Sequence, residues 1–428
     1  MRRILIIGAG QAGLQLALGL QSHGYDVTLL TDRDAQEVRD GRVLSSQCMF
    51  DSALRTERAL GLDLWAERAP RIEGLGVSVG GPDGTRVIDW VGRLDAYAQS
   101  VDQRLKMSTW LETFAARGGR VELRQVSAAD LDHLAGSYDL VLVASGKGRL
   151  ASVFERHEEW SPYLRPQRAL AMSYVHGLAP RPEHGFPAVR CNLVPGVGEF
   201  FTVPALTAAG PCDILLWEAL PGGPADAFDG LRDPSEHLRV TLELMKAHTP
   251  WEYDRTRAGL ELTDSGATLA GRFAPVVRRP VGELPGGGAV LGVADVVITN
   301  DPITGQGSNS AAKCAAHYLA AILAHGDRPF DRDFQQSAFD GFWASTGRSV
   351  TAWTNAMLLP APPHALQLFG AAGELPAVAD RFANSFDDPA DVEEWLLDPG
   401  KAAAYLASAA SAAVDAPVVV DAPVAGRG

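Results

Sequence analysis

The chain has 428 residues, 46% of them hydrophobic and 21% charged, with a formal net charge of -14. That balance is ordinary for a globular protein, and the length suits two or three domains or one composite one. An acidic surface repels nucleic acid and anionic membranes, so neither is expected as a partner.

The first element is a short apolar run, Arg3 to Ile7, with the character of a strand buried on both faces. A basic start followed by an apolar stretch can pass for a signal peptide. Here the stretch is broken at Gly8 and Gln11 and no clean small-residue cleavage site follows, so a cytoplasmic protein is expected. No run is long and apolar enough to span a membrane. Next come Gly8-Ala9-Gly10-Gln11-Ala12-Gly13, a leucine-rich helix closed by His23-Gly24, and a second strand, Val27 to Leu30. A lone GxGxxG is a weak signal; between a buried strand and a helix it becomes a strong one. Gly8 permits the tight turn, Gly10 lets backbone approach a pyrophosphate, and Gly13 lets the helix pack on the strand. Gln11 and Ala12 then open a helix whose N-terminus offers partial positive charge to phosphates. The acid that meets the ribose is expected where Thr31 and Asp32 stand, Asp32 reading equally as ribose ligand or solvated turn carboxylate.

Thr109 to Ala116 reads as helix, Val121 to Val126 as strand, and Asp139 to Ala144 as another buried strand ending at Ser145-Gly146. From Ala169 to Leu220 the pattern changes. Ala188–Leu193, Phe200–Val203 and Ile214–Leu220 are β-rich and separated by Pro/Gly turns, as in an antiparallel sheet covering a pocket. Val290 to Val293 returns to a buried strand, an alanine-rich helix follows Gly305-Gln306-Gly307, and helices run on to about Leu406. The expected organisation is a discontinuous dinucleotide-binding α/β domain (1–50, 95–168 and 270–330) of Rossmann type. A β-rich substrate domain (51–94 and 169–269), a helical region (331–406) and a flexible tail (407–428) complete it. Cys48, Cys191, Cys212 and Cys314 lack metal-ligand spacing and read as free thiols in a reducing compartment.

A second cluster fixes the cofactor type. Leu291-Gly292-Val293-Ala294-Asp295 precedes Asp301-Pro302-Ile303-Thr304-Gly305-Gln306-Gly307-Ser308-Asn309. Asp295, at a strand end, suits a ribityl hydroxyl. The glycine turn feeding a helix N-terminus suits the negative charge of a reduced flavin's pyrimidine edge, with Pro302 as a rigid wall. A plain strand–loop–helix with a cap is the structural alternative for each cluster alone.

Together, Gly8–Gly13, Asp295 and Asp301–Asn309 resemble the aromatic-hydroxylase class of flavoproteins. Arg42, the Val79-Gly80-Gly81-Pro82 turn, Pro166-Gln167-Arg168-Ala169-Leu170 and Trp353-Thr354-Asn355 narrow the resemblance to the oxygenase component of two-component styrene and indole monooxygenases, over roughly residues 1–400. The resemblance implies FAD received as FADH2 from a separate NADH-dependent flavin reductase, and O2 as co-substrate. It implies oxygen transfer through a C4a-hydroperoxyflavin in a dry pocket, without an acid–base dyad, and Arg42 beside the flavin. Two departures stand out. Ala294-Asp295 replaces a Gly-Asp pair, and Ser145-Gly146-Lys147-Gly148 replaces the Asp-Gly motif of single-component hydroxylases, in keeping with a chain that has no NAD(P)H site of its own.

The family has two branches. Ser45, Gln47 and Met49 match the indole-type set, and Ile72, Leu75 and Ala98 agree with it in being apolar where the styrene branch carries polar or aromatic residues. On an extended segment Ser45, Gln47 and Met49 share one face, and Gln47 or Ser45 can accept an indole N–H bond. A strand merely touching the flavin edge is the alternative. The expectation is epoxidation of the C2=C3 bond of indole, leading to indoxyl and indigo, by a chain for which a homodimer is allowed. Styrene-type epoxidation, a larger indole, a flavin-dependent halogenase and a redox-neutral FAD enzyme are the rivals. No Trp-x-Trp-x-Ile-Pro halogenase motif is present.

Overall fold

The opening strand–helix–strand unit consists of β1 (Arg3–Ile7), α1 (Gln11–Ser22) and β2 (Asp26–Thr31). The computed structural model describes residues 2–181 and 183–415. Two short helices, α2 (Ala35–Arg39) and α3 (Asp51–Arg58), lead to a long hairpin, β3 (Ile72–Gly80) and β4 (Arg86–Ala98). The chain then returns through α4 (Gln103–Ala116), β5 (Arg120–Leu123), α5 (Ala128–Ala135) and β6 (Leu140–Val143). Four strands follow, β7 (Ala169–His176), β8 (Ala188–Val194), β9 (Gly198–Thr207) and β10 (Gly210–Ala219), and then helices α6 (Pro234–His248) and α7 (Pro250–Tyr253). Short strands β11 (Glu261–Leu262), β12 (Thr268–Gly271), β13 (Val276–Val277), β14 (Val281–Glu283), β15 (Ala289–Gly292) and β16 (Ile298–Thr299) precede the long helix α8 (Gly307–His325). The chain closes with α9 (Arg332–Phe342), α10 (Arg348–Met357), α11 (Pro363–Ala371), α12 (Pro376–Asn384) and α13 (Pro399–Asp415).

Six strands form one sheet in the order β14-β15-β6-β1-β2-β5, parallel except for the β14–β15 edge. Ile4 to Ile7 and Leu140 to Val143 are buried because helices cover both faces of this sheet, which is why they read as unbroken apolar runs. Helix α1 is buried from Gln11 to Leu20, wedged against α8 and α4. The second sheet orders β11-β7-β10-β9-β8-β3-β4, with β12 alongside β7. One of its faces packs with α11–α13 around Trp90, Trp353, Phe382 and Trp395; the other packs on α6 around Phe200, Trp217 and Met245.

The structure corrects four expectations. The second sheet is not wholly antiparallel: β3 and β8 pair in parallel, which the long crossover between them permits. Strand β4 runs on to Ala98, past residue 94, because an irregularity between Ile72 and Gly74 restores pairing of Ile72 with Ala98. The stretch read as β-rich contains α6, capped by Asp233, which accepts from Glu236 N–H at 2.8 Å, with Pro234 in the first turn. Helix α13 continues to Asp415, where a flexible tail from 407 was expected; its alanines favour helix and Ala409 is buried against the core. Residues 416–428 of that tail lie outside the described residues. No helix among the described residues is long and apolar enough to cross a membrane.

Candidate functional site

A single cavity of about 1520 Å³ runs from the glycine loop to the inner face of the second sheet. A pocket for one drug-sized molecule is about 300–1,000 Å³, so this one has room for a dinucleotide and a further small molecule.

One end is made of backbone. Gly8 has φ +117°, and a side chain there would run into the Ala144 carbonyl on β6's exit; a side chain at Gly13 would run into the Gly8 carbonyl. At Gly10 the space a side chain would take is open, and Gly10, Gln11 and Ala12 border the cavity. No side chain caps α1, so its first N–H groups remain available for an anion. Thr31 and Asp32 border the same end. The Thr31 hydroxyl is used within its own turn, donating to Arg33 C=O at 3.1 Å, while the Asp32 carboxylate is largely exposed at the rim and meets Arg33 at 3.8 Å.

Midway, Ser145 and Lys147 stand where the Asp-Gly motif was missing. The Ser145 hydroxyl is buried against the cavity with no partner, and Lys147 pairs with Asp295 at 3.3 Å. Ala294, before Asp295, has φ +51°, the only positive φ of a non-glycine among the described residues. The sequence thus carries alanine at a place whose backbone favours glycine.

The second glycine turn is tightly supported. Asp301 is buried and caps the short turn Pro302–Thr304 through Ile303 N–H at 3.2 Å; burial pushes its carboxyl up to about 6. Gly305 ends the turn in the left-handed region at φ +61°, and Gly307 opens α8 without a side-chain cap. The Trp353-Thr354-Asn355 motif buttresses this turn: Thr304 and Thr354 hydroxyls meet at 2.7 Å, and Asn355 C=O accepts from Tyr163 at 3.3 Å. Pro302, Gly305, Gly307 and Ser308 border the cavity. Gln306 and Asn309 do not. Gln306 donates to Thr304 and Phe386 carbonyls, and Asn309 clamps Cys48 C=O and Phe50 N–H, so both hold the loop instead of lining the site.

The remaining expected site residues divide. Ser45, Gln47 and Leu75 line the cavity. Ser45 donates to Gln47 Oε1 at 3.1 Å and Gln47 donates to Val101 C=O, so Gln47 is held at both ends. Met49, Ile72 and Ala98 do not line it. The segment 43–48 has no regular structure, so the alternation that put Met49 on the face of Gln47 does not apply. Met49 instead pairs with Gln99 and packs on Ala53, Leu54 and Ala312, its sulfur accepting from Lys106 at 3.1 Å. Ile72 and Ala98 face each other in the core behind Leu75. Arg42 is exposed to solvent and does not border the cavity; only its neighbour Val43 is drawn in, bonded to Gly266 C=O at 2.9 Å.

Sequence reasoning missed most of the sheet's contribution: Leu170, Met172, Val189, Phe201, Val203, Leu216 and Glu218 face the cavity. Which residues of a strand face in depends on register, but the acid inside the apolar run Ile214 to Ala219 was a visible signal. Cys48 also borders the cavity, and burial pushes its thiol up to about 12, so it stays protonated.

Residues 146–255 match the profile of the styrene monooxygenase A substrate-binding domain. The chain is 32% identical over 398 residues to styrene monooxygenase StyA of Pseudomonas fluorescens, covering 91% of this chain and 93% of that one, and equally to its counterpart from Pseudomonas sp. Its fold is similar to that of a triple mutant of the flavin-dependent brominase Bmp2 (TM-score 0.64, 14% identity, 97% of this chain and 100% of that one). It is also similar to a flavoprotein/dehydrogenase from Cytophaga hutchinsonii (TM-score 0.62, 12% identity, 92% and 96%).

Proposed function

Since the chain belongs to the styrene monooxygenase family, and so is an FAD-dependent monooxygenase that uses O2 and reduced flavin from a separate reductase, we propose that its substrate is an indole, epoxidised at C2=C3. The observation that carries this reading is the composition of the cavity's far wall. Leu75, Val189, Phe201, Val203 and Leu216 give it apolar lining suited to an aromatic ring, and Ser45 and Gln47 line the same cavity. Ser45, Gln47 and Leu75 are the indole-type residues that border the cavity; Ile72 and Ala98 share the core with Leu75, and Met49 packs elsewhere, on Ala53, Leu54 and Ala312.

The residues present fit FAD. Gly10 leaves room for close approach, the first N–H groups of α1 and α8 lack side-chain caps, and the buried Ser145 hydroxyl lacks a partner. Gly8, Gly10, Gln11 and Ala12 would hold the pyrophosphate, Asp32 the ribose, Asp295 the ribityl chain, and Pro302, Gly305, Gly307 and Ser308 the ring system. Bound FAD in reduced form supplies two electrons that activate O2, so that one oxygen atom enters the substrate and the other leaves as water. The protein's part is to orient the ring, exclude water with the apolar sheet, and favour negative charge at the N-terminus of α8. No side chain needs to act as acid or base on the indole double bond.

The test is to supply reduced FAD from a generic NADH-dependent reductase with indole and O2. Indoxyl and blue pigment are expected; no indole product alongside efficient styrene epoxidation overturns the substrate assignment. The names of the two curated relatives favour a second reading, vinyl-arene epoxidation, which the same assay distinguishes.

A further inference from the structure

Glu218 is fully buried near the end of β10, and neither oxygen of its carboxyl has a hydrogen-bond partner. The strand's alternation sends Trp217 to the opposite face, against Phe200, and turns Glu218 with Leu216 toward the cavity. Among the described residues it is the one ionisable side chain that the strands of the second sheet present to the cavity. A buried polar side chain aimed into open space with nothing to bond is rare in a folded protein and points to a ligand.

The surroundings decide its protonation. Glu199 lies directly opposite on β9 and is already taken by Arg168, through contacts of 2.6 and 2.9 Å. Asp301, at the head of the turn that leads into α8, is near enough for its charge to act on Glu218, and Lys147 and Tyr163 lie within the reach of its charge; Lys147 is engaged by Asp295. Three carboxyl groups thus share one guanidinium in a site withdrawn from water. They cannot all ionise. Burial first, and then the charges of Asp301 and Glu199, push the Glu218 carboxyl well above the usual carboxylate range. A neutral carboxyl has a donor in its O–H and an acceptor in its C=O, whereas Gln47, the polar neighbour on the other wall, spends its amide on Ser45 and Val101.

We propose that Glu218 is the polar anchor of the substrate end, its carboxyl C=O accepting a hydrogen bond from the ring N–H of the aromatic substrate. The assignment deepens the indole reading and rests on it. It gives a physical basis for preferring a ring with N–H over a hydrocarbon of the same shape, since a site built around a polar partner penalises the analogue that leaves it unpaired.

The experiment titrates the FAD-loaded enzyme, without reductant, with indole and with indene, its carbocyclic counterpart, reading the perturbation of the oxidised flavin spectrum. The wild type is expected to bind indole about tenfold more tightly, the worth of one buried hydrogen bond. Glu218→Leu brings the ratio close to one, and Glu218→Gln, which keeps a carbonyl acceptor in the same shape, preserves it. Infrared difference spectra give a readout that does not depend on the Leu variant folding. Indole, but not indene, shifts a protonated-carboxyl C=O band that is missing in Glu218→Gln. A wild-type ratio near one, a ratio unchanged in Glu218→Leu, or an unshifted carboxyl band overturns the anchor. If the ratio depends on Glu218 but the enzyme with reduced flavin yields no oxygenated indole, the indole reading fails and the anchor stands. Oxygenated indole with a ratio indifferent to Glu218 has the opposite meaning.

Discussion

The two ends of the cavity are built from different materials. The dinucleotide end is backbone: glycines at Gly8, Gly10 and Gly13, uncapped N–H groups, and turns held from outside. The substrate end is side chain, supplied by strands whose inward residues are apolar except Glu218. A backbone-built end is fixed by local conformation and tolerates few side chains. A side-chain-built end changes chemistry by substitution without disturbing the chain path.

The strongest way to break this comparison is to attack the buried polar support under the glycine helix. Gln11 donates to Glu57 at 2.8 Å, and Glu57 is paired with Lys106, both buried; burial lowers the lysine from its ordinary value, and its pairing with Glu57 opposes that shift only in part. Lys106→Met strands an unpaired carboxylate and is expected to cost about 3–5 kcal/mol, read as a loss of thermal stability with FAD binding lost alongside it. Gly13→Ala follows, at about 3 kcal/mol, because its methyl meets backbone that cannot move aside. Gly10→Ala is the control that sharpens the point. Its methyl enters open space, so the melting temperature of the flavin-free chain should hold while FAD affinity falls about tenfold or more, as equilibrium dialysis would measure.

A smaller effect sits where the ends meet. Burial raises the Asp301 carboxyl to about 6. Between about pH 4, its unfolded value, and pH 6 the folded chain keeps a proton that the unfolded chain has released, so stability falls as pH rises through that window. Asp301→Asn retains an acceptor for the cap. Its stability relative to wild type should be unchanged near pH 4 and greater by about 2 kcal/mol above pH 6, by denaturant unfolding at both pH values. The smallest effect is expected at Ala294→Gly. Relief of φ +51° is worth about 1–2 kcal/mol, and the looser unfolded chain takes back about 0.4–1, leaving a gain between zero and about 1.6 kcal/mol in thermal unfolding.

The same contrast explains what could be read from the sequence. The glycine loop, Asp295 and Asp301–Asn309 were legible because each is a local conformation written in consecutive residues. The free thiols and the two-sheet architecture were legible as well. The substrate wall was not. Met49 was placed in the pocket on the assumption of an extended segment, and the irregular path of 43–48 turns it into the α3–α8 contact instead. Ile72 and Ala98 lie one layer behind the wall because a strand irregularity sets their register. Gln306 and Asn309 look like ligand contacts in the motif, yet their amides hold the loop from behind. Helix α6 was announced by Asp233-Pro234 and was overlooked in a segment dominated by strand patterning.

The most direct test of the division between the two ends is a competition assay on Gln47→Val, with equal indole and styrene, reduced FAD from a generic reductase, and FAD affinity measured on the same preparation. The account predicts a product ratio shifted several-fold toward styrene oxide with FAD affinity unchanged, because Gln47 borders the cavity on the side-chain-built side. An unchanged product ratio, or a shift accompanied by weakened FAD binding, would contradict it.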